Sequence, residues 1–576
     1  MNVNRFIGQL PQAIIGHNLR LATVPIVAII AIASHVESLE AKPNVAPRNN
    51  IKVETTLSSK PKQDEVNKPS EAVLIPVKQI LVVGSSILTT DEIKKITAPY
   101  LQKSLTFEQI RAIADQVTQI YQERNYITSR AIIEAQEIKD GVVTIRVLEG
   151  SLERVEIRRA GDEKGRLNDE YVRSRASLAA EKPINFTRLE DELQLLRSNP
   201  LLSNVRANLA SGSQPDQSVL QITFSEAKSF STNLFTDNYG NVSSGIYRAG
   251  ATVQELNLTG IGDSAFASYT RSDGSNSYAL GYQYPLNPMG GTLSLNTSIS
   301  NSRVIQPEFA ALNITTDAQV YELSYRQPVI RSPREELALG VSVAFENSNS
   351  AVNGQPFNFQ RQTGSFQNQI GDGESQARVL RLTQEYVNRT TTGAWAFRSS
   401  FSAGLNVLGA TIRDDGSPDG RFLYWTGQAL RVQRLNEDPD TLAFFRLNAQ
   451  FSGDRLLSLN RFSVGGPQSV RGYRQNQITG DNGIQGSVEV QFPVVRDDNG
   501  VAIVKLLPFA EAGSVWNNRT VNPSPQTLFS VGLGAIYQPF PNLSIRLDFG
   551  VPIVNANNPG TNLQDSGLYF SVNGNF

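Results

Sequence analysis

A short polar run near the C-terminal end of the chain contains the residues best suited to charge chemistry. Residues 469–477 read SVRGYRQNQ, which places Arg471 beside a glycine and a tyrosine. Forty residues further on, the apolar segment LLPFAEAG contains a single acid, Glu511. A guanidinium in such a run indicates pairing with an acid, because its positive charge is always present. The pattern itself leaves open which acid compensates Arg471.

Composition leaves few residues for catalysis or metal binding. The 576 residues include no cysteine, which excludes disulfides, thiolate zinc sites and cysteine nucleophiles. Both histidines, His17 and His35, lie near the N-terminus, so the usual general base is missing from the rest of the chain. The formal net charge of −1 and the lack of basic runs argue against a nucleic-acid partner. We expect no catalytic residue, metal or cofactor.

The N-terminus has the pattern of an export signal. Two arginines precede the apolar run 21–33, and its last residues, AIA before Ser34, fit a signal-peptidase site. An uncleaved anchor or a buried helix is the alternative, but Pro25 and the short length of the run count against both. The sequence therefore predicts a signal peptide over residues 1–33.

The next segment has the composition of a linker. Residues 41–75 are rich in Pro, Lys, Asn, Ser and Glu and contain few apolar positions. Such a stretch buries too little apolar surface to offset the entropy lost on ordering. We predict a flexible linker over 34–75, which is also a candidate for a segment that plugs a pore.

Residues 77–227 contain two copies of one small α/β unit. Each copy has the order β-α-α-β-β, with amphipathic helices predicted over 106–126 in the first copy and 185–199 in the second. The Asp140-Gly141 pair predicts a hairpin turn between the last two strands of the first copy. Coincidence between two generic α/β stretches is the alternative, but matched order and length favour a repeat.

Beyond about residue 228 the helical pattern disappears and strict alternation begins. In GSVEVQF, for example, Val488, Val490 and Phe492 share one face, while Glu489 and Gln491 share the other. A soluble sandwich also alternates, but its interior would not tolerate so long and charged a polar face. A closed barrel with an apolar outside and a wet lumen fits, at 14 to 18 strands, with sixteen favoured.

The repeats, the barrel pattern and the Arg-Gly-Tyr run together resemble a known family. The chain resembles the outer-membrane transporters of two-partner secretion (the TpsB class of haemolysin and adhesin exporters), which share a superfamily with barrel-assembly insertases. The resemblance covers residues 77–576. Its motifs are YQERNYITSRAIIEAQEIKDGVVTIRVLEG, DNYGNVSSGIYRAG, FSVGGPQSVRGY and LLPFAEAGSVW.

The resemblance implies a fold class and a set of domains. The expected fold is a transmembrane antiparallel β-barrel of about 16 strands, preceded by two small β-α-α-β-β POTRA (polypeptide-transport-associated) domains. We call these the first repeat (76–149) and the second repeat (150–227). The barrel is expected over 228–576, with a lumen loop near 462–480.

The resemblance also implies roles for individual residues. In the family, this loop folds into the lumen, and its arginine meets an acid on a barrel strand. Here Glu511 replaces the usual aspartate, so the geometry of the pair must shift by one methylene. The expected latch of the loop is Val470, Arg471, Gly472 and Tyr473, and its partner strand contributes Phe509, Glu511 and Gly513, with Gly465 and Gly466 as loop support. The terminal Phe576 matches a barrel-assembly signal.

The function implied by the resemblance is secretion through the barrel. The partner would be an unfolded exoprotein of the TpsA type, recognised by the periplasmic repeats. Further expected partners are the barrel-assembly machinery, periplasmic chaperones and outer-membrane lipid, around a monomeric protein. Alternatives are an insertase, which commonly has three to five POTRA repeats, a passive porin or ligand-gated receptor, and an outer-membrane enzyme, for which the barrel lacks a histidine.

Overall fold

The computed structural model describes residues 73–161, 165–359, 373–556 and 560–576. The predicted signal peptide, 1–33, and residues 34–72 of the predicted linker lie outside the described residues. The chain divides into two compact units, and their described parts are residues 73–227 and residues 228–576. The first strand already begins at Ile75, at the end of the predicted linker.

The first repeat has the predicted order with one addition. A strand pair outside the main sheet, β1 with β3, supplements the three-stranded sheet β2-β5-β4. Both helices begin with a capping box, Thr89 with Glu92 and Thr106 with Gln109. The elements are β1 (Ile75–Val77), β2 (Gln79–Val83), α1 (Thr90–Thr97), β3 (Lys103–Leu105), α2 (Phe107–Glu123), β4 (Arg130–Ile132) and β5 (Val142–Leu148). The helix face predicted from the sequence is buried, at Ile110, Ile113, Ala114, Val117 and Tyr121.

One strand of the first repeat is shorter than its sequence indicates. The segment AIIEAQEI predicts a strand, yet β4 ends at Ile132. The Gln136 side chain replaces the ladder: it accepts a hydrogen bond from the Thr144 N–H and donates one to the Thr144 carbonyl, both at 2.7 Å. The turn itself is as predicted, because Asp140 and Gly141 both have positive φ.

The second repeat repeats the order without the extra strand pair. Its sheet has the order β6-β8-β7, in which β6 and β8 run parallel. The elements are β6 (Ser151–Arg159), α3 (Asp169–Ala176), α4 (Phe186–Arg197), β7 (Leu202–Ser211) and β8 (Gln217–Glu226). Leu189, Leu193 and Leu196 of α4 are buried against the sheet.

The second unit is a closed antiparallel barrel of sixteen strands, in agreement with the favoured number. A two-residue strand, β16, pairs only with the end of β15 and is not counted among the sixteen. The last strand pairs with the first, so the sheet has no free edge. The barrel strands are β9 (Phe230–Asp237), β10 (Arg248–Glu255), β11 (Ser264–Ser272), β12 (Ser275–Pro285), β13 (Thr292–Arg303), β14 (Ile314–Arg331), β15 (Glu335–Val352), β17 (Glu374–Thr390), β18 (Gly393–Gly404), β19 (Phe422–Arg434), β20 (Leu442–Ser452), β23 (Asn482–Arg496), β24 (Ala502–Trp516), β25 (Thr527–Phe540), β26 (Leu543–Pro552) and β27 (Leu568–Asn575); β16 is Gln355–Pro356 and a short helix, α5, is Pro307–Ala310.

Alternation along the strands separates an apolar outer face from a polar lumen. On β20, Phe445 and Leu447 are exposed on the outside, whereas Gln450 is buried inside. On β23, Val488 is exposed and Glu489 is buried. Apolar side chains outside and polar side chains inside are the arrangement that a lipid environment requires. Among the described residues, no helix has the length and apolar character needed to cross a membrane.

A long connection returns into the barrel between β20 and β23. It covers residues 453–481 and contains the predicted lumen loop, which we define as residues 462–480. The lumen loop begins and ends in a two-stranded sheet of β21 (Phe462–Val464) and β22 (Ile478–Gly480). This sheet fixes the two ends of the loop together, so the residues between them form a closed hairpin.

Candidate functional site in the barrel lumen

Arg471 and Glu511 form a buried ion pair. The Glu511 carboxylate accepts hydrogen bonds from the Arg471 guanidinium, at 3.0 Å from Nε and 2.5 Å from Nη2, both to Oε1. Its other oxygen, Oε2, accepts from the Arg471 backbone N–H at 2.7 Å. The longer glutamate therefore reaches both the side chain and the main chain of the loop. Both residues are buried, at 2% and 5% exposure.

Two further acids meet the same guanidinium. Arg471 Nη1 lies 2.9 Å from Glu489 Oε2 on β23 and 2.8 Å from Asp548 Oδ1 on β26. Arg546 bridges these two acids on the lumen wall, since its Nη2 donates to Glu489 and its Nε to Asp548. One loop arginine is therefore held by carboxylates from three strands, which compensates the cost of burying its charge.

An aromatic ring supports the guanidinium from one side. The centre of the Arg471 guanidinium, Cζ, lies 3.4 Å from the centroid of the Phe509 ring. Stacking on a ring face leaves the in-plane N–H groups free to bind carboxylates. Phe509 is two residues before Glu511 on β24, so both contact Arg471 from the same lumenal face.

Gly472 brings the loop backbone against the barrel wall. Its φ of +96° favours glycine, and a Cβ there would lie 3.0 Å from the carbonyl oxygen of Gly550 on β26. The Gly472 N–H donates to the Tyr569 hydroxyl at 2.9 Å, and that hydroxyl donates to the Tyr473 carbonyl at 2.6 Å. Tyr569 therefore satisfies two backbone groups of the loop from β27.

Tyr473 and Val470 fill the space beside the ion pair. The Tyr473 hydroxyl lies 2.9 Å from the carbonyl oxygens of Phe529 and Val554 and accepts from the Val554 N–H at 3.0 Å. Val470 is fully buried in an apolar cluster with Val464, Tyr473, Ile478, Val515 and Leu528. The loop is thus held by packing as well as by charge.

The remaining predicted glycines permit close approach of other groups. Gly465 and Gly466 have φ of +113° and +96°, and a Cβ on either would collide with the opposite limb of the loop. A Cβ on Gly513 would lie 2.6 Å from the Val464 side chain, so this position leaves room for the loop. The structure thus places Gly513, Phe509 and Glu511 of β24 all against the lumen loop.

Phe576 lies elsewhere, at the seam where the barrel closes. Its backbone exchanges two hydrogen bonds with Thr232, at 2.8 and 2.9 Å, while its side chain is exposed. It makes no part of the site around Arg471, so its predicted role is separate from that of the loop.

Several residues of this site were not predicted. Sequence reasoning assigned no role to Glu489, Asp548, Arg546, Gly550 or Tyr569. Alternation places Glu489 and Asp548 on a lumenal face, which is a usable signal. Alternation does not give the height of a residue along the barrel axis, so it cannot show that these acids meet Arg471.

Comparison with known proteins agrees with this architecture. Residues 216–536 match the family model described as haemolysin secretion/activation protein ShlB/FhaC/HecB, which is more than half of the chain. The chain belongs to this family. Residues 75–150 of this ShlB/FhaC/HecB-family member also match the ShlB-type POTRA domain, in the region of the first repeat.

Individual relatives of this ShlB/FhaC/HecB-family protein have low sequence identity to it but align with most of its length. The outer membrane transporter CdiB of Dickeya dadantii is 24% identical over 479 residues, covering 80% of this chain and 79% of the relative. The heme/hemopexin transporter protein HuxB of Haemophilus influenzae is 24% identical over 497 residues, covering 83% of each. The solved structure of CdiB from Escherichia coli, 21% identical, matches with a TM-score of 0.68 and covers 89% of this chain and 93% of that one.

Membership in the ShlB/FhaC/HecB family settles the class of function. The chain is an outer-membrane transporter of two-partner secretion, with POTRA domains in the periplasm and a transmembrane barrel. The family is one of transport and secretion pores, and its partners are secreted exoproteins. The site around Arg471 therefore lies in the lumen of a secretion pore.

Proposed function

We propose that the lumen loop is a latch that holds the pore of this transporter in its resting arrangement. A barrel of sixteen strands encloses an aqueous channel unless something fills it. The observation that supports this role is the burial of Arg471 among three carboxylates from β23, β24 and β26. Release of the loop requires those bonds to break, and an exoprotein that enters the lumen must displace or move the loop.

The two repeats supply the edges at which an unfolded client is captured. Within the described residues, β7 pairs only with β8, so one side of this ten-residue strand has unpaired backbone groups. An extended peptide adds to such an edge through main-chain hydrogen bonds, which do not require one sequence. Folding of the client outside then prevents its return, so transport needs no nucleotide.

The latch is tested by Arg471→Ala in the full chain. We expect secretion of the exoprotein into the medium to fall by most of its normal amount, because an unanchored loop has no single docked position from which to be released and lies free in the path of the client. The amount of assembled barrel, measured by heat-modifiable migration, should persist. Normal secretion by a correctly assembled Arg471→Ala protein would refute the latch.

A matched control is available three residues along the loop. Arg474 pairs with Asp565 in the connection between β26 and β27, outside the three-acid site. Arg474→Ala removes a loop arginine without removing that site, so secretion should be reduced far less. Equal losses in the two variants would indicate a general need for loop charge rather than a latch at Arg471.

Client capture at β7 is tested by crosslinking. A photoreactive residue at Arg206, which is exposed on this edge strand, should crosslink to an exoprotein arrested during secretion. The same residue at Lys95, exposed on α1, is the control. Equal crosslinking at both positions, or none at Arg206, would contradict capture at this edge.

Phe576 has a separate proposed role in assembly. Its exposed ring on the last strand suits recognition by the barrel-assembly machinery, which would act with periplasmic chaperones to insert a monomer into lipid. Deletion of Phe576 should lower the amount of folded barrel in the outer membrane, and Phe576→Leu should lower it less. Unchanged barrel levels after deletion would remove this role without affecting the latch.

A further inference from the structure

We infer that the β20–β23 connection has a second attachment, made by Asn460 and Glu346 on a part of the barrel wall remote from the three-acid site. This inference rests on the proposed function, in which the loop must be released for secretion. Asn460 ends a short 3-10 turn before the lumen loop. Glu346 belongs to β15, a strand that does not adjoin either root of the connection.

The second attachment is a buried hydrogen bond to a charged group. Asn460 Nδ2 donates to Glu346 Oε2 at 2.8 Å, with both residues buried. Arg381 on β17 orients this carboxylate, because its guanidinium contacts Glu346 and also donates to Glu322 at 2.8 Å. Glu346 is thus held by a wall arginine while its second oxygen remains available to the connection.

Two leucines of the connection add an apolar contact at the same wall. Leu456 and Leu457 are buried, and the side chains around them interrupt the polar pattern of the lumen. These wall residues are Ala344, Ala377, Val379, Phe422 and Tyr424. An apolar patch in a wet lumen is stable only when something covers it, and here the two leucines cover it.

The two attachments lie on well-separated parts of the barrel wall. With β9 counted as the first of the sixteen strands, β15 is the seventh and β26 is the fifteenth. The other two acids of the three-acid site, Glu489 on β23 and Glu511 on β24, belong to the twelfth and thirteenth strands. The second attachment is therefore five to eight strands away from the first, and eight places is the opposite side of a closed ring of sixteen. Since Asn460 binds β15 and Arg471 binds Asp548 on β26, the segment between them crosses the lumen.

A crossing segment obstructs the pore more fully than a loop attached to one wall. Breaking the bond to Glu346 detaches the segment from β15, while the Gln450 side chain on β20 still donates to the Asn460 carbonyl at 2.8 Å. The segment can then move toward the β20 wall while Arg471 stays bound. We therefore assign Asn460, Glu346 and Arg381 as positioning residues of the resting pore. They act on the client path through the connection and do not touch the three-acid site.

The inference is tested by Asn460→Ala in the full-length protein in planar lipid bilayers. Loss of a buried hydrogen bond to a carboxylate should raise the open probability of the pore at least about tenfold. Asn296→Ala is the matched control, because Asn296 lies on the lumenal face of β13 and its amide nitrogen makes no hydrogen bond. An open probability equal in Asn460→Ala and wild type would overturn the inference.

A crosslink gives a readout that does not depend on losing the contact. The chain has no cysteine, so Asn460→Cys with Glu346→Cys introduces the only thiols. A short bis-methanethiosulfonate linker, which bonds to each thiol through a disulfide and releases methanesulfinate, should join this pair but not Asn460→Cys with Asn296→Cys. It should block secretion until a reductant cleaves the disulfides. A crosslinked protein that secretes normally would overturn the inference.

The two proposals fail in different ways. If Arg471→Ala raises open probability and Asn460→Ala does not, only the second attachment is wrong. If neither variant changes open probability or secretion, the connection is not a latch, and the proposed function fails as well.

Discussion

The backbone of Gly472 in the lumen loop packs directly against the backbone of Gly550 on β26. A Cβ on Gly550 would lie 2.6 Å from the Gly472 amide nitrogen, and a Cβ on Gly472 would lie 3.0 Å from the Gly550 carbonyl oxygen. No side chain larger than hydrogen fits at either position without movement of the loop. The contact places the Gly472 N–H within reach of Tyr569 and the Arg471 side chain within reach of its three acids.

Gly550→Ala should weaken docking of the loop while leaving the barrel closed. The added methyl group must displace backbone rather than a flexible side chain, at a cost of about 1–3 kcal/mol. We expect higher conductance in bilayers and faster proteolysis within the lumen loop. Gly486→Ala is the control, because a Cβ there meets its nearest atom at 3.7 Å. Equal behaviour of the two variants would contradict the steric argument.

Tyr569→Phe should weaken the contact between the lumen loop and the wall, because it removes the hydroxyl and keeps the aromatic ring. The Gly472 N–H and the Tyr473 carbonyl would both lose their partner, and a buried unsatisfied group costs about 1–3 kcal/mol. The expected result is faster hydrogen exchange of the Gly472 amide and higher conductance. Tyr537→Phe, on the exposed outer face of β25, should change neither quantity. An unchanged exchange rate at Gly472 would show that Tyr569 does not hold the loop.

Glu511→Ala should reduce secretion much more than Glu511→Asp does. Removing the carboxylate breaks three hydrogen bonds to Arg471, and loss of one partner of a buried ion pair costs about 3–5 kcal/mol. Aspartate retains the charge, and Glu489 and Asp548 still bind Nη1, so secretion should stay close to normal. Secretion by Glu511→Ala should fall toward that of Arg471→Ala. Equal secretion by both Glu511 variants would exclude the charge as the cause.

The sequence was sufficient for the barrel but not for the complete site. Alternation, turn residues and length predicted a barrel with sixteen strands favoured, because a two-residue period is a local property of the chain. The position of Asp548 relative to Arg471 depends on strand register summed over several hairpins, which is not local. Gly550 and Tyr569 have no distinguishing pattern in the sequence, since their role exists only where the loop meets the wall.

The first repeat also contains one feature that the sequence predicts and one that it does not. The capping box at Thr89 and Glu92 is a local motif, and the structure contains it. The sequence does not predict the replacement of strand pairing by the Gln136 side chain, because the isoleucines of AIIEAQEI indicate a continuous strand. Only the three-dimensional path of residues 133–141 distinguishes a continuous strand from one that ends at Ile132.

Acid should weaken the N-terminal cap of α1. The backbone N–H of Thr89 and the Arg124 guanidinium lower the pKa of Glu92 from 4.5 to about 2. A lowered pKa means that the ionised carboxylate stabilises the folded state above pH 4.5, and that this contribution is lost as pH falls toward about 2. The stability difference between wild type and Glu92→Gln should therefore shrink from pH 6 to pH 3.

Urea unfolding followed by the helical far-ultraviolet signal measures this difference. Among the described residues, every helix of eight or more residues lies in the two repeats, so the signal reports on them. Lys95→Gln, on the same helix, is the control for a general charge effect. A difference that stays constant over this pH range would show that the Glu92 carboxylate does not cap the helix.

The three-acid site also determines what the pore presents once the loop has left. Arg546 and Arg446 remain on the wall, and both interact electrostatically with Glu489. With Arg471 docked, three guanidinium groups face three carboxylates; after its departure two face three, and the vacated position becomes anionic. A translocating chain would then pass a spot that attracts its lysines and arginines one after another.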